Sequence, residues 1–135
     1  MRRLPLVPVV GNGRYRMQPV SVFDVAACFS LCLGKARAAG RVYEIGGPEA
    51  LSYNELIDVI CRVMGKKRAK VHIPVALVRP VAWLSERLMP KPLLTVDQLN
   101  MLLGDNVCNI AAMRDELGVE PIGFAEGLRE IIAGG

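Results

Sequence analysis

The chain has 135 residues, of which 52% are apolar and 5% aromatic. This length and balance are typical of one globular domain with its own core, and they exclude a disordered or low-complexity protein. The 17 Lys and Arg residues against 13 Asp and Glu give a net charge of +4, too small and dispersed to indicate nucleic-acid binding. The densest basic cluster is interpreted as a solvated loop and comprises Lys66, Lys67, Arg68 and Lys70.

Targeting and membrane-spanning segments are not expected. The opening "MRRLPLVPVVGNG" resembles a signal peptide in its two arginines, but its apolar run is short and contains prolines. Asp24 and Arg79 interrupt the two longest apolar stretches, so neither reaches the roughly 18 to 20 residues that cross a bilayer. The expected location is the cytoplasm, with peripheral attachment to a membrane as the alternative.

The cysteines and the single histidine predict no metal site. Cys28, Cys32, Cys61 and Cys108 show no C-x-x-C spacing, and a zinc site would need nearly all of them at once. Free thiols in a reducing compartment are the preferred interpretation. His72 is interpreted as a strand residue with an ordinary hydrogen bond.

Two strands and a helix are predicted at the start of the chain. The strands cover residues 5–10 and 18–22, on either side of a Gly-Asn-Gly turn. Helical spacing follows from about Val22 to Lys35, with Ser21 as its N-cap and Asp24 in its first turn. Asp24 is interpreted as a partner of the free amides of that turn.

The middle of the chain predicts a strand and a capped helix. "GRVYEIGG" is interpreted as a strand that closes in a tight turn at Gly46 and Gly47. In "LSYNELIDVICRVMG", Ser52 and Glu55 form a capping box, and Gly65 ends the helix.

After a third strand, "KVHIPV", the rest of the chain is predicted to be helical. Pro80 predicts a kink or a break between two short helices. A second capping box opens "TVDQLNMLLGDN", "NIAAMRDELGV" ends at Gly118, and "FAEGLREIIAGG" is a terminal amphipathic helix. Trp83, between Arg79 and Arg87, is expected to pack in the core, with a membrane-surface or docking face as the alternative.

The stretch "VPVVGNGRYRMQPVSV" raises the question of a phosphate-binding turn. A dinucleotide fingerprint needs G-x-G-x-x-G at a turn from a strand into a helix. Here Arg16 occupies the third glycine position, and a strand-like segment follows. The sequence also lacks Gly-Lys-Ser/Thr and Tyr-x-x-x-Lys. We therefore predict no catalytic, cofactor-binding or metal-binding residue in this chain.

The order of motifs nevertheless resembles a known family. "GNGRYRMQPVSVFDVAACFSLCL" followed by "GRVYEIGGPEALSYNELIDVICRVMGKK" resembles the C-terminal half of extended and atypical short-chain dehydrogenases/reductases, the NAD-dependent epimerase/dehydratase superfamily. "KPLLTVDQLNMLLGDNVCN" resembles the atypical branch that includes the nucleotide-binding accessory subunit of respiratory complex I. The resemblance covers about residues 4–130. It implies an α/β fold, the C-terminal part of a Rossmann-type NAD(P)-binding protein, with few short strands followed by a mainly helical substrate-side subdomain.

The same resemblance implies how the domains are organised. Residues 1–135 would form a single C-terminal domain or fragment, with an α/β part over about 1–70 and a mainly helical part over about 71–135. The dinucleotide-binding domain would lie upstream, so NAD(P) is implied for the full-length protein and not for this chain alone. Strand "VYEIG" would then have exposed edges, which predicts as partner the missing domain, a second copy or a protein complex, and no nucleic acid.

Four residues are predicted to bind substrate: Arg14, Arg16, Gln18 and Asn106. In epimerase-type enzymes an arginine at this turn pairs with a nucleotide-sugar phosphate, a role that suits a bidentate guanidinium. That arginine aligns nearer Met17 than Arg16, so ordinary surface charge remains the alternative. The "DN" pair formed by Asp105 and Asn106 would line the same cleft or form a helix C-terminal turn.

Three functions follow. The first is the substrate-side half of an NAD(P)-dependent oxidoreductase or epimerase-like protein that is inactive alone. The second is a non-catalytic nucleotide-binding or assembly subunit, and the third is a stand-alone interaction module.

Overall fold

The computed structural model describes residues 6–90 and 94–134. Four strands lie in these ranges: β1 (Leu6–Val10), β2 (Arg16–Met17), β3 (Leu51–Ser52) and β4 (Ala69–Ile73). Five α-helices accompany them: α1 (Val22–Gly34), α2 (Tyr53–Val63), α3 (Val75–Leu88), α4 (Val96–Leu103) and α5 (Phe124–Ala133). A 3₁₀ turn covers Ala36–Ala38, and a π-helical turn covers Met113–Leu117. Few short strands followed by mainly helical structure is the predicted fold class, which is confirmed.

The chain forms two compact units. The sheet unit comprises the described residues of Met1–Arg16 and Ser52–Asp105, and the helix unit comprises those of Met17–Leu51 and Asn106–Gly135. By sequence, the first set of ranges carries 12 Lys and Arg against 5 Asp and Glu, a net charge of +7. The second carries 5 against 8, a net charge of −3. The net charge of +4 is therefore the sum of a strongly basic unit and a mildly acidic one.

The core of the sheet unit lies between its sheet and α2. Strand β1 runs parallel to β4, with Leu6 opposite Ala69. Because side chains alternate along a strand, Val7 and Val9 point to one face, where they pack against Ile57 of α2. Parallel pairing requires a long connection between the strands, so the glycine turn after β1 does not close a hairpin with residues 18–22.

Two predicted strands are wrong. Residues 18–21 form no strand, because Pro19 has no N–H for a ladder and Ser21 already caps α1, accepting a hydrogen bond from the Phe23 amide at 3.2 Å. Residues 41–47, the "VYEIG" segment, also form no strand. A strand exists through hydrogen bonds to a neighbour, and no described strand runs beside this segment, whose Val42 is 93% exposed.

Both predicted capping boxes are confirmed. The Ser52 side chain accepts a hydrogen bond from the Glu55 amide at 3.3 Å, and the Glu55 carboxylate accepts one from the Ser52 amide at 2.7 Å. The Ser52 hydroxyl also donates to this carboxylate at 2.7 Å, and together with the Ser52 amide it holds the pKa of Glu55 below its ordinary value. Thr95 and Gln98 make the same pair of contacts at the start of α4. Past α2, Gly65 adopts the left-handed conformation (φ +62°) that ends the helix as predicted.

Of the kink or break predicted at Pro80, the break is wrong, because α3 continues through it from Val75 to Leu88. Proline removes the hydrogen bond to the carbonyl of Ala76, but Ala76 is exposed, so water can satisfy that oxygen. The expected core position of Trp83 is also wrong, since its side chain is 53% exposed. No helix in the described ranges is long and apolar enough to cross a lipid bilayer.

The helix unit is built around Cys28 of α1. Its thiol is fully buried against Met113 and Leu117 of the π-helical turn, and burial raises its pKa. Gly118 ends this turn in the left-handed conformation (φ +74°), as predicted. Asp24 does not cap its own helix; its carboxylate accepts a hydrogen bond from the Ile122 amide at 3.0 Å, which fixes the segment that leads into α5.

The Ser52 cap is expected to contribute measurably to stability. Ser52→Ala should lower the free energy of unfolding by about 1 kcal/mol, because the first-turn amides of α2 lose their acceptor. The matched control is Ser30→Ala, which alters an exposed serine inside α1. Urea denaturation followed by circular dichroism measures both variants, and an equal effect of the two would contradict the role assigned to the cap.

Candidate functional site

The glycine turn after β1 is fixed at both ends. Gly11 and Gly13 adopt left-handed conformations (φ +67° and +63°) that favour glycine. The Gly11 amide donates to the Ile73 carbonyl at 2.8 Å, which extends the β1–β4 ladder by one bond. At the other end, the Gly13 carbonyl accepts a hydrogen bond from the Asn54 amide at 3.1 Å, and the Asn54 side chain donates to the Asn12 carbonyl at 2.9 Å.

A cleft of about 360 Å³ lies beside this turn, entirely within the sheet unit. Its lining combines backbone of the turn with side chains from the start of α3 and the end of α4: Gly11, Asn12, Arg14, Tyr15, Val75, Leu103 and Asp105. The Asn12 side chain accepts a hydrogen bond from the Arg14 amide at 3.0 Å, so the arginine is presented from a local, hydrogen-bonded loop. The Asp105 carboxylate accepts a hydrogen bond from the Arg16 amide at 2.8 Å and lines the cleft as one predicted alternative had it.

The four predicted binding residues divide between the two units. Arg14 lines the cleft, and Arg16 is exposed two residues further along the chain. Gln18 and Asn106 belong to the helix unit, where Asn106 pairs with Met17 in an isolated parallel bridge. The structure therefore brings Arg14 and Arg16 together in one unit and places the other two residues in the second.

Gln18 holds the helix unit together through both ends of its amide. The side-chain N–H donates to the Gly47 carbonyl at 2.8 Å, and the side-chain oxygen accepts a hydrogen bond from the Cys108 amide at 2.9 Å. The contact brings three distant segments of sequence together. The side-chain nitrogen and oxygen of Gln18, which would recognise a ligand, are thus already hydrogen-bonded to backbone groups.

Gly46 and Gly47 serve close packing and not the predicted tight turn, because the chain makes no turn at these two residues. A Cβ atom on Gly46 would lie 2.7 Å from the Cys108 sulfur. On Gly47 it would overlap the carbonyl oxygen of Pro19, which is backbone and cannot rotate away. The absence of side chains at the two glycines therefore lets these segments pack closely, and the hydrogen bonds of Gln18 then hold them together.

Gly47→Ala is expected to destabilise the helix unit by about 3 kcal/mol, at the upper end of what overpacking costs, because the neighbouring atom is backbone. Gly34→Ala is the matched control, since a Cβ atom at that position of α1 would meet no neighbouring group within 4 Å. Urea denaturation of both variants distinguishes them. Equal stabilities would show that Pro19 can move aside at little cost.

Tyr15 is the residue at this site that sequence reasoning missed. Its side chain is 5% exposed, its ring lies 5.3 Å from that of Tyr53, and its hydroxyl has no hydrogen-bond partner among the described residues. Burial raises the pKa of Tyr15 to about 12, so the phenol stays neutral. The available signal was the alternation of Arg14, Tyr15 and Arg16, in which one apolar ring between two charges predicts a side chain directed inward.

The site offers binding chemistry and little acid–base chemistry. The cleft presents a guanidinium, amide groups and a carboxylate, whereas its one phenol is buried and firmly protonated. In the described part of the chain, no three His, Cys, Asp or Glu side chains come close enough to hold a metal ion. His72 contacts the Asn54 side chain at 3.3 Å, the ordinary hydrogen bond expected of it.

Tyr15→Phe is expected to raise the stability at neutral pH by about 1 kcal/mol, because it removes a buried hydroxyl that has no partner among the described residues. Tyr43→Phe is the matched control and should lower stability, since the Tyr43 hydroxyl donates to Glu116 at 3.0 Å. Urea denaturation measures both changes. A loss on Tyr15→Phe as large as that on Tyr43→Phe would reveal a partner for the buried hydroxyl.

The same variant tests the raised pKa of Tyr15. The ordinary value of 10.0 applies to the unfolded chain and about 12 to the folded one. Ionisation of this phenol therefore favours the unfolded chain above pH 10, so the stability of the fold should fall as the pH rises from 10 toward 12. The wild type should lose more stability than Tyr15→Phe across that interval.

Comparison with known proteins gives distant sequence relatives, although no protein-family model matches. The chain is 25% identical over 119 residues to the mitochondrial 40 kDa subunit of NADH-ubiquinone oxidoreductase of Neurospora crassa, covering 87% of this chain and 32% of the relative. It is 27% identical over 106 residues to 3beta-hydroxysteroid-dehydrogenase/decarboxylase isoform 1 of Arabidopsis thaliana, covering 72% and 24%. The chain thus spans about a third or less of the length of these relatives.

Solved structures give the same fold. UDP-glucose 4-epimerase of Thermotoga maritima, determined with UDP-glucose, superimposes with a TM-score of 0.64 at 21% identity, over 92% of this chain and 32% of that one. dTDP-glucose 4,6-dehydratase of Bacillus anthracis, determined with NAD, gives 0.63 at 21% identity, over 95% and 33%. The predicted resemblance to a subunit of respiratory complex I and to proteins with the fold of epimerases and dehydratases is confirmed, and with it the fold class.

Proposed function

We propose that this chain is the substrate-side half of an NAD(P)-dependent oxidoreductase or epimerase-like protein, and that it turns over no substrate by itself. The observation that carries the proposal is the cleft at the glycine turn, where Arg14 is presented from a hydrogen-bonded loop. Residues 1–135 would act as one C-terminal domain. The dinucleotide would be held by the part of such proteins that this chain does not match.

A phosphorylated substrate suits the cleft best. A guanidinium binds phosphate oxygens through two parallel hydrogen bonds, and Arg14 lines the cleft with Arg16 two residues away. The net charge of +7 on the sheet unit also attracts anions toward it. UDP-glucose, the ligand of the similar Thermotoga epimerase, represents this class and serves as the probe.

The chain's own residues would bind and orient the substrate. The glycine turn fixes the loop, and the Asp105 carboxylate holds the backbone at Arg16, so that neither arginine backbone has to be ordered on binding. Hydride transfer would be the contribution of the nicotinamide cofactor. The buried neutral phenol of Tyr15 would support the cleft wall and take no part in proton transfer.

The test is a titration of the chain with UDP-glucose, followed by amide chemical shifts. We expect shifts at residues 11–16, and Arg14→Ala should weaken binding about tenfold through the loss of charge-assisted hydrogen bonds. Arg37→Ala, which removes an equal charge from the exposed 3₁₀ turn of the helix unit, should leave binding unchanged. Shifts that avoid the turn, or equal effects of the two variants, would contradict the binding role.

The inactivity of the isolated chain is tested separately. Incubation with NADH or NADPH and UDP-glucose should leave the cofactor absorbance unchanged and yield no sugar epimer. Specific turnover would show that the chain carries catalytic groups of its own.

A second candidate function is a non-catalytic subunit of a larger complex. It is favoured by the similarity to a subunit of NADH-ubiquinone oxidoreductase and by Gln18, whose side-chain nitrogen and oxygen each bond to a backbone group within the fold. An antibody against this chain distinguishes the two on native gels of source-cell extracts. Migration with NADH dehydrogenase activity would favour the second function, and a smaller species that binds UDP-glucose would favour the first.

A further inference from the structure

Asn54, the second residue of α2, contacts the glycine turn through both its backbone and its side chain. Its amide donates to the Gly13 carbonyl at 3.1 Å, and its side-chain nitrogen donates to the Asn12 carbonyl at 2.9 Å. A Cβ atom on Gly13 would lie 2.7 Å from the Asn54 side-chain oxygen, so this side chain also lies directly against the turn. These contacts by one residue fix the segment that carries Arg14.

The orientation of the Asn54 side-chain amide follows from its two partners. The Asn12 carbonyl can only accept a hydrogen bond, so the Asn54 atom that faces it is the nitrogen. The other end of the amide is the oxygen, which lies 3.3 Å from Nε2 of His72 on β4. Because an amide oxygen only accepts, the hydrogen of this bond belongs to His72 Nε2. A neutral imidazole carries one N–H, and this contact assigns it to Nε2.

These hydrogen bonds form a relay from β4 to the cleft. His72 donates to the Asn54 oxygen, and the Asn54 nitrogen donates to the Asn12 carbonyl. At the end of the relay, the Asn12 side chain accepts a hydrogen bond from the Arg14 amide at 3.0 Å. A reversed Asn54 amide would bring its oxygen against the Asn12 carbonyl, and two acceptors cannot bond to each other. The hydrogen on His72 Nε2 therefore determines which way the Asn54 amide points.

Lys70 of β4 holds the same turn of α2 by a separate route. It lies two residues before His72, so both side chains point to the face of the sheet that α2 covers. The Lys70 ammonium donates to the Asn54 backbone carbonyl at 3.3 Å and to the Asp58 carboxylate at 2.7 Å. Lys70 thus anchors the backbone at Asn54, whereas His72 orients the Asn54 side chain.

We propose that His72 is a positioning residue of the substrate cleft, which acts through the Asn54 side chain on the turn that presents Arg14. This proposal rests on the function proposed above, because it takes Arg14 as the residue that binds the substrate. His72 is not among the residues that line the cleft, so it does not touch the substrate itself. Its contribution is to hold the turn in the binding conformation before the substrate arrives, which lowers the entropy lost on binding.

The position of the hydrogen can be measured directly, because His72 is the only histidine of the sequence. Nitrogen NMR distinguishes a ring nitrogen that carries a hydrogen from one that does not. At a pH where the imidazole is neutral, we expect the hydrogen on Nε2 and none on Nδ1. The Nδ1–H form, or a mixture of the two forms, would overturn the proposal.

Two substitutions of His72 separate hydrogen bonding from shape. His72→Phe keeps a ring but removes the donor, so it should weaken UDP-glucose binding about fivefold and speed hydrogen exchange of the Arg14 amide by a similar factor. His72→Gln places an amide nitrogen near the position of Nε2 and should restore both quantities. Val71→Phe, which adds a ring on the opposite, exposed face of β4, is the matched control and should behave as the wild type does.

The exchange measurement needs no ligand, so the two proposals fail in different ways. A wild type that does not bind UDP-glucose would contradict the proposed function, while exchange of the Arg14 amide would still test the relay. A wild type that binds, with equal binding and equal exchange in His72→Phe, would overturn the positioning role. Equal losses in His72→Gln and His72→Phe would assign the effect to packing of the ring and would overturn it as well. Circular dichroism confirms that each variant is folded.

Discussion

The parallel ladder between β1 and β4 determines the geometry on which the rest of the sheet unit depends. It fixes the direction in which the chain leaves β1, and the bond from the Gly11 amide to the Ile73 carbonyl carries that direction into the turn. A left-handed glycine at each end of the turn then brings the chain back against Asn54 at the start of α2. Because these bonds are made by backbone groups, the position of Arg14 at the cleft does not depend on the conformation of its side chain.

The helix unit depends on a comparable backbone constraint. Its segments approach so closely at Gly47 that a side chain there would overlap a carbonyl oxygen, and Gln18 then bonds to the groups brought together. Lys35 adds a further tie, since its ammonium group donates to the carbonyl oxygens of Glu116 and Leu117 at 3.1 and 2.8 Å. Polar side chains that bond to backbone thus hold this unit as much as its small core around Cys28 does.

The sequence by itself determined the features that rest on local interactions. Both capping boxes and the glycine ends of helices follow from neighbours within a few residues, and each was found where predicted. The fold class was predicted from family motifs spread along the chain, because their order is specific although no single motif is. The position of Arg14 also follows from a local motif, because the residue lies next to the glycine turn, and it lines the cleft beside that turn.

Tertiary structure decided whatever depends on groups distant in sequence. Residues 41–47 have the composition of a strand, but a strand needs a hydrogen-bonded neighbour, and none of the described strands supplies one. Asp24 looks like a local cap, yet it bonds to the amide of Ile122, 98 residues away. Trp83 has the hydropathy of a core residue, but the helix had only one face to bury, and Ala82 occupies it. The residue type determines which interactions a side chain can make. Its exposure depends on which face of its helix or strand packs against the rest of the fold.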